Sequence, residues 1–146
     1  MSAQENKALV TRFWDEVWGK GNLAAVDDLV APEHLRYGPG VLDGERRSAA
    51  VLKRVVQKWR DALPDLHVAI ESTVAEGDEV VCRLRWSGHQ QGEILGITPT
   101  GKEVRMWEIQ SCRVIDGKIV EIWAAFDRMS IMNQLGEQAR WEFVTT

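Results

Sequence analysis

Histidine and cysteine, the residues from which metal and redox centres are built, are scarce: three of one and two of the other in 146 residues. None stands at ligand spacing from another, so no metal is expected. Cys82 and Cys112 lie inside strand-like runs and read as small buried hydrophobes. A basic stripe is also lacking. Lys and Arg number 18 against 22 Asp and Glu, the net charge is −4, and the signs are interspersed. That argues against nucleic acid as a partner. No apolar run approaches the ~20 residues that cross a membrane. The opening MSAQENKALV is polar and then helical, without a signal-peptide core. The compartment expected from these absences is a reducing cytoplasm.

Tyrosine (one) and phenylalanine (three) are few, but tryptophan is abundant, with seven copies. Each Trp brings a large apolar surface and one N–H donor, and core packing is the plain role for most of them. Apolar residues make up 45% of the chain, enough for a core. The length fits one domain, residues 1–146, with no repeat and no linker.

Residues 3–18 put Leu9, Val10, Phe13, Trp14, Val17 and Trp18 on one helical stripe, ended by Gly19 and Gly21. Asn22 can cap a short helix, LAAVDDLVA, which Pro32 closes. Residues 33–43 read as irregular, and a third helix is expected over roughly 45–63, stopped by Pro64. The period then changes to two. Strands are expected in DLHVAIESTVAE, EVVCRLRWSGH and the two halves of VRMWEIQSCRVIDGKIVEIWAAFD, and a short helix, RMSIMNQL, follows Asp127. The tail shows no pattern beyond Trp141 and Phe143. Helices first and an antiparallel meander second predict an α+β fold, with helices on one face of a curved sheet.

The last hairpin contains an anomaly. A three-residue loop, Ile115-Asp116-Gly117, pairs Cys112 with Val120, Gln110 with Ile122, Glu108 with Ala124 and Met106 with Phe126. A two-residue loop would swap the partner strand's faces. The bulged register is preferred because it unites the apolar residues on one face, which is then apolar except for Glu108 and Gln110. A buried ionised Glu is costly unless paired or wet, and burial raises its pKa. Either these two side chains face a solvated pocket, or Glu108 is tied to a loop or to an arginine such as Arg36 or Arg12.

Three stretches, NKALVTRFWDEVWGKGNLAAVDDLVAPE, GEILGITPTGKEV and CRVIDGKIVEIW with the later Asp and QLG, resemble the SnoaL-like polyketide (ester) cyclase family of the nuclear transport factor 2-like superfamily. The likeness covers about residues 5–136. It implies a cone-shaped α+β barrel with an apolar pocket between helices and sheet. It also implies aldol ring closure by a carboxylate general acid/base, with polar neighbours on the enolate oxygen and no metal or cofactor. In many relatives the strand after the DGKI turn reads His-Trp-Asp or His-Trp-Asn. Here it reads Ile122-Trp123-Ala124, so the usual acid would fall at Ala124. Two other positions that often carry His fall at Tyr37 and Gln90, the latter beside His89.

The expectation is therefore that Glu108 acts as general acid/base. Gln110 and Gln90 would orient a carbonyl or water, and Tyr37 would donate a proton or hydrogen bond. Asp127 reads first as a helix cap, possible partner of Arg105, and second as a fallback acid. Trp14, Trp18, Trp59 and Trp86, mainly core by spacing, and Met106, Ile122, Ala124 and Phe126 would line the ligand pocket. His34 and His67 are expected in solvent. Trp107, Ile109 and Trp123 form an apolar patch on the outer sheet face that suits a second subunit, and the resemblance implies sheet-to-sheet homodimers. Two functions stay open: a cofactor-free enzyme acting on a small apolar carbonyl or epoxide metabolite by cyclisation, isomerisation, dehydration or hydrolysis, and a non-catalytic binding domain for such a ligand.

Overall fold

Ser2 starts the first helix with a capping box: its hydroxyl accepts from the Glu5 amide at 3.1 Å and the Glu5 carboxylate accepts from the Ser2 amide at 3.3 Å. The computed structural model describes residues 2–136, so Trp141 and Phe143 lie outside the described residues. Helix α1 (Ala3–Arg12) continues into a wider π-helical segment, Phe13–Gly19, which buries Phe13, Trp14 and Val17. Next come α2 (Ala25–Leu29), β1 (Val30–Gly38), β2 (Val41–Ser48), α3 (Ala49–Ala62), β3 (His67–Glu76), β4 (Glu79–His89), β5 (Glu103–Ile115), β6 (Lys118–Phe126) and α4 (Arg128–Gln134).

The six strands form one sheet in the order β2-β1-β6-β5-β4-β3. Neighbours run antiparallel except β1 and β6, which are parallel. The architecture is the expected α+β one, and the sheet is mixed and open rather than a closed antiparallel barrel. Helix α1 packs on β3 and β4, and α3 packs on β1 and β2. Two apolar clusters lie under the helices, one around Val10, Val17, Val56, Leu84 and Ile119, the other around Leu63, Trp86, Val104 and Ile131. Cys82 and Cys112 are free thiols buried in the first.

Two expectations are corrected. Residues 30–48 are not a helix end, a loop and a helix start but the β1–β2 hairpin. β2 is an edge strand, half of its residues charged and with little buried surface, so it carries no period-2 apolar signal. Helix α3 starts only after Ser48, whose hydroxyl accepts from the Val51 amide at 3.2 Å. The second correction concerns the last hairpin. Its loop has two residues, Asp116 and Gly117, both at positive φ (50° and 75°), between the paired Ile115 and Lys118. This is the turn geometry that matches strand twist. A bulge at Val120 then inserts one residue between the Ile119–Val114 and Glu121–Arg113 pairs. The bulge restores the faces that the short loop would have swapped. Ile122 and Ala124 still point inward, but Ile119 replaces Val120 in the core, and Glu108 pairs with Phe126 and Gln110 with Ala124.

Among the described residues, no helix is long and apolar enough to cross a membrane. The outer sheet face leaves Trp107 (47% exposed), Ile109 (42%) and Trp123 (47%) open.

Candidate functional site

A cavity of about 90 Å³ lies between the helices and the inner sheet face. Strand β5 supplies Met106, Glu108 and Gln110 to it at spacing two, so all three point the same way. The π-helical segment contributes Trp14 and Trp18, whose rings stack at 5.8 Å. Its extra residue per turn brings these two indoles over the sheet, a placement typical of π segments at functional sites. Helix α3 contributes Leu52, Val55 and Trp59, and Trp59 meets the edges of Trp86 (5.7 Å) and Phe126 (6.4 Å). Ile122 lines the wall from β6.

Within these apolar walls the Glu108 side chain is almost fully buried, its residue only 8% exposed. Gln110 donates to Glu108 Oε2 at 3.1 Å, and its own carbonyl oxygen lies 3.6 Å from the Cys112 thiol. Burial pushes the Glu108 carboxyl up to about 7, against weaker downward pulls from Arg36, Gln110 and the Trp86 indole. No arginine forms an ion pair with Glu108 among the described residues, so the carboxyl is not locked in a salt bridge. The group changes charge near neutrality inside a cavity.

Two arginines also line it. Arg36 comes from β1 and Arg47 from β2. Arg36 donates to the Tyr37 carbonyl, and burial together with the Arg47 charge holds its pKa below the ordinary arginine value. Arg47 donates to Glu45 at 3.3 Å, while its Nε–H is buried without an acceptor among the described residues. Beside them His34 is buried at 3% exposure, with both ring nitrogens unpartnered among the described residues. Burial, then the charges of Arg47 and Arg36, lower its pKa. His34 is thus in the interior, not in solvent, whereas His67 is exposed as expected. Alternation of His34 and Arg36 along β1 was the available signal for this inward face. It was masked because residues 33–43 were read as irregular.

The structure brings Glu108, Gln110, Trp14, Trp18, Trp59, Trp86, Met106, Ile122 and Phe126 to the cavity. It leaves four other candidates outside. Tyr37 points to the opposite face, stacked on Trp123 with ring centres 3.7 Å apart. Strand alternation explains this: inward-facing Arg36 forces its neighbour outward. Gln90 is fully buried but braces the 90–102 connection, donating to the Ile97 carbonyl at 2.9 Å and accepting from the Thr100 amide (3.0 Å) and hydroxyl (2.7 Å). Asp127 caps α4, accepting from the Ser130 amide at 3.0 Å, and does not line the cavity. Arg105 pairs with Glu103 rather than with Asp127. Ala124 is buried opposite Gln110 and is not part of the lining.

Comparison with known proteins follows this geometry. A family model for the SnoaL-like polyketide cyclase matches residues 8–135. A candidate polyketide cyclase from Acidithiobacillus ferrooxidans is 31% identical, with 96% of this chain and 100% of that one covered and a TM-score of 0.81. AclR, a candidate hydroxylase from Streptomyces galilaeus, is 28% identical over 92% of this chain and 98% of that one, with a TM-score of 0.79. IdmH, a candidate polyketide cyclase from Streptomyces antibioticus, is 28% identical over 90% and 98%, with a TM-score of 0.77. No curated protein matches the sequence.

Proposed function

The chain belongs to the SnoaL-like polyketide cyclase family, and we propose that it is a small cofactor-free enzyme that moves a proton on an apolar carbonyl metabolite, with Glu108 as both base and acid. The observation that carries this reading is a carboxyl buried in an apolar cavity without an ion-pair partner, the single one in the lining among the described residues, its pKa pushed up to about 7 by burial. A base with that pKa is half ionised at neutral pH, close to the optimum for proton transfer. Ionised Glu108 takes a proton from the carbon next to a carbonyl. The C–H electron pair moves into the carbonyl and leaves an enolate oxygen. The Gln110 amide is the donor placed to hold that charge, and the positive field of Arg36, which reaches Glu108, favours it. The enolate carbon then attacks an electrophilic carbon of the same molecule, closing a ring, or takes the proton back at another position. Neutral Glu108 returns the proton to the product oxygen or carbon.

Such a positioned carboxylate contributes on the order of 10²–10⁴ in rate. The test is α-proton exchange into D₂O, followed by NMR on a panel of aryl ketones and 1,3-diketones. Wild type should accelerate exchange with at least one compound, and Glu108→Gln should lose that acceleration while still quenching Trp fluorescence on binding. Equal exchange by wild type and variant would remove Glu108 from the mechanism.

One observation favours the second reading, a binding domain without catalysis. The position where the resemblance places the family's acid is Ala124, and binding with no turnover across the panel would establish it. The outer face of Trp107, Ile109 and Trp123 supports, in either case, a homodimer built sheet to sheet.

A further inference from the structure

The lining of the cavity is electrically lopsided. Among the described residues its one carboxyl is on β5, and its two guanidinium groups come from the β1–β2 hairpin, beyond β6 in the sheet order. Arg47 bears on Arg36 and on His34, but is not among the charges that shift Glu108. Arg36 therefore stands between the acid and Arg47, its charge felt by Glu108, and Arg47 lies beyond it at the hairpin end of the cavity.

That end is short of acceptors. Arg36 uses one N–H on the Tyr37 carbonyl, and Arg47 uses one on Glu45. The Arg47 side chain is only 17% exposed while that of Glu45 is 50% exposed, so the pair is lopsided in burial and Glu45 is well screened by solvent. Arg47 Nε–H has no acceptor among the described residues. Gly38 keeps this end in place, because a Cβ there would collide with the Arg36 guanidinium. Two like charges held side by side in an apolar wall are costly, and each guanidinium is a planar fork shaped for a carboxylate.

We propose that the substrate is itself an anion, an apolar compound bearing a carboxylate that Arg47 and Arg36 hold while its carbonyl group lies against Glu108 and Gln110. This rests on the reading of the cavity as the substrate site. A carboxylate fits better than a phosphate: it is planar, it carries one charge, and the remaining walls, Trp14, Trp59, Leu52 and Phe126 among them, are apolar. The anchor also gives orientation. One end of the substrate is fixed at β1–β2, which places a carbon between anchor and acid within reach of Glu108.

The experiment uses two probes of equal shape, 3-phenylpropanoate and the neutral ketone 4-phenylbutan-2-one. Binding is read from quenching of the Trp residues around the cavity, at pH 6 and pH 8.5. The carboxylate should bind about tenfold or more tightly than the ketone at pH 6, as expected for charge-assisted hydrogen bonds. Arg47→Gln should abolish that preference by weakening the carboxylate about tenfold more than the ketone, while Arg47→Lys keeps part of it. Raising the pH to 8.5 ionises Glu108 and should weaken the carboxylate more than the ketone. Urea denaturation confirms that each variant folds, and Arg36→Gln repeats the test at the second arginine. The proposal is overturned if the ketone binds as well as the carboxylate, if Arg47→Gln weakens both probes equally, or if neither binds. The two readings separate cleanly. Glu108-dependent proton exchange without anion preference removes the anchor alone, and anion preference without exchange removes the catalysis and leaves the anchor.

Discussion

Replacing Glu108 by Gln should stabilise the protein, and only at high pH. The carboxyl has an ordinary value of 4.5 and is pushed up to about 7 by burial. In the unfolded chain it ionises near 4.5; in the folded chain it stays protonated until about 7. Between those values the folded state binds more protons than the unfolded state, so stability falls as pH rises through the window. Below 4.5 both states are protonated and the full contribution is present. Above about 8 both are ionised and the folded state carries a buried charge. The gap corresponds to about 3 kcal/mol. Glutamine has the shape of the neutral acid, keeps an acceptor for the Gln110 amide, and never ionises. The variant should therefore match wild type at pH 4.5 within a constant offset, and gain about 3 kcal/mol on it by pH 8.5. Urea denaturation at four or five pH values, with equal m-values, measures this directly. For a chain of this size the gain is about 10 °C in Tm. Parallel stability curves for the two proteins across that range would show that Glu108 titrates normally, and would refute the acid/base argument built on it.

Other perturbations test neighbouring parts of the site. Arg36 pulls the Glu108 carboxyl down, so Arg36→Met should raise the pH at which it ionises, visible as an upward shift of the carboxyl ¹³C titration. His34 is held neutral by burial and by two arginines; the unfolded chain takes up its proton below about 6.5, and stability falls with acid from there. His34→Gln should flatten that acid limb in urea titrations. Ser48→Ala removes the α3 cap and should cost about 1 kcal/mol in the same assay, with weaker ligand binding because α3 carries Trp59 and Leu52. Trp107→Ser combined with Trp123→Ser should convert a dimer to a monomer in sedimentation equilibrium; wild type sedimenting at one chain mass would dispose of the dimer.

What the sequence reveals depends on burial. Strands β3 to β6 are half-buried, so each carries a two-residue apolar period, and α1 carries a helical one. Their order implied the fold class. β1 and β2 turn polar and charged side chains, His34, Arg36 and Arg47, toward the interior, so they carry no such apolar period. The site divides along the same line. Glu108 and Gln110 stood out because they break an apolar face. Arg36, Arg47 and His34 did not stand out, since a charged residue on a strand that looks like a loop is unremarkable. Tyr37 and Gln90 were misplaced for a different reason: position by position, resemblance transfers an address but not the direction in which a new side chain turns. The Val120 bulge is a third kind of miss. A register cannot be read from pattern when a turn residue lost in the loop is regained in the strand.

That bulge matters for where the acid can stand. In the observed register Ala124 faces Gln110, and Glu108 sits diagonally across the strand pair, opposite Phe126. Directly opposed and diagonal positions on one sheet face lie about 5 to 8 Å apart. A carboxyl on β6 at 124 and one on β5 at 108 would therefore address the same space from adjacent strands. Proton transfer constrains the position of the carboxyl oxygen, not the strand that supplies it. The Glu side chain is one methylene longer than Asp, which helps the diagonal position reach. In the Glu108→Gln background, Ala124→Asp should recover part of any lost proton exchange, because a buried carboxyl is returned to the cavity beside Gln110. Ala124→Asp alone should place two carboxyls in one apolar space, push their ionisations apart, and slow exchange at neutral pH. If the double variant stays inactive while it folds and binds ketones, Glu108 acts through more than its position, and the diagonal equivalence is wrong.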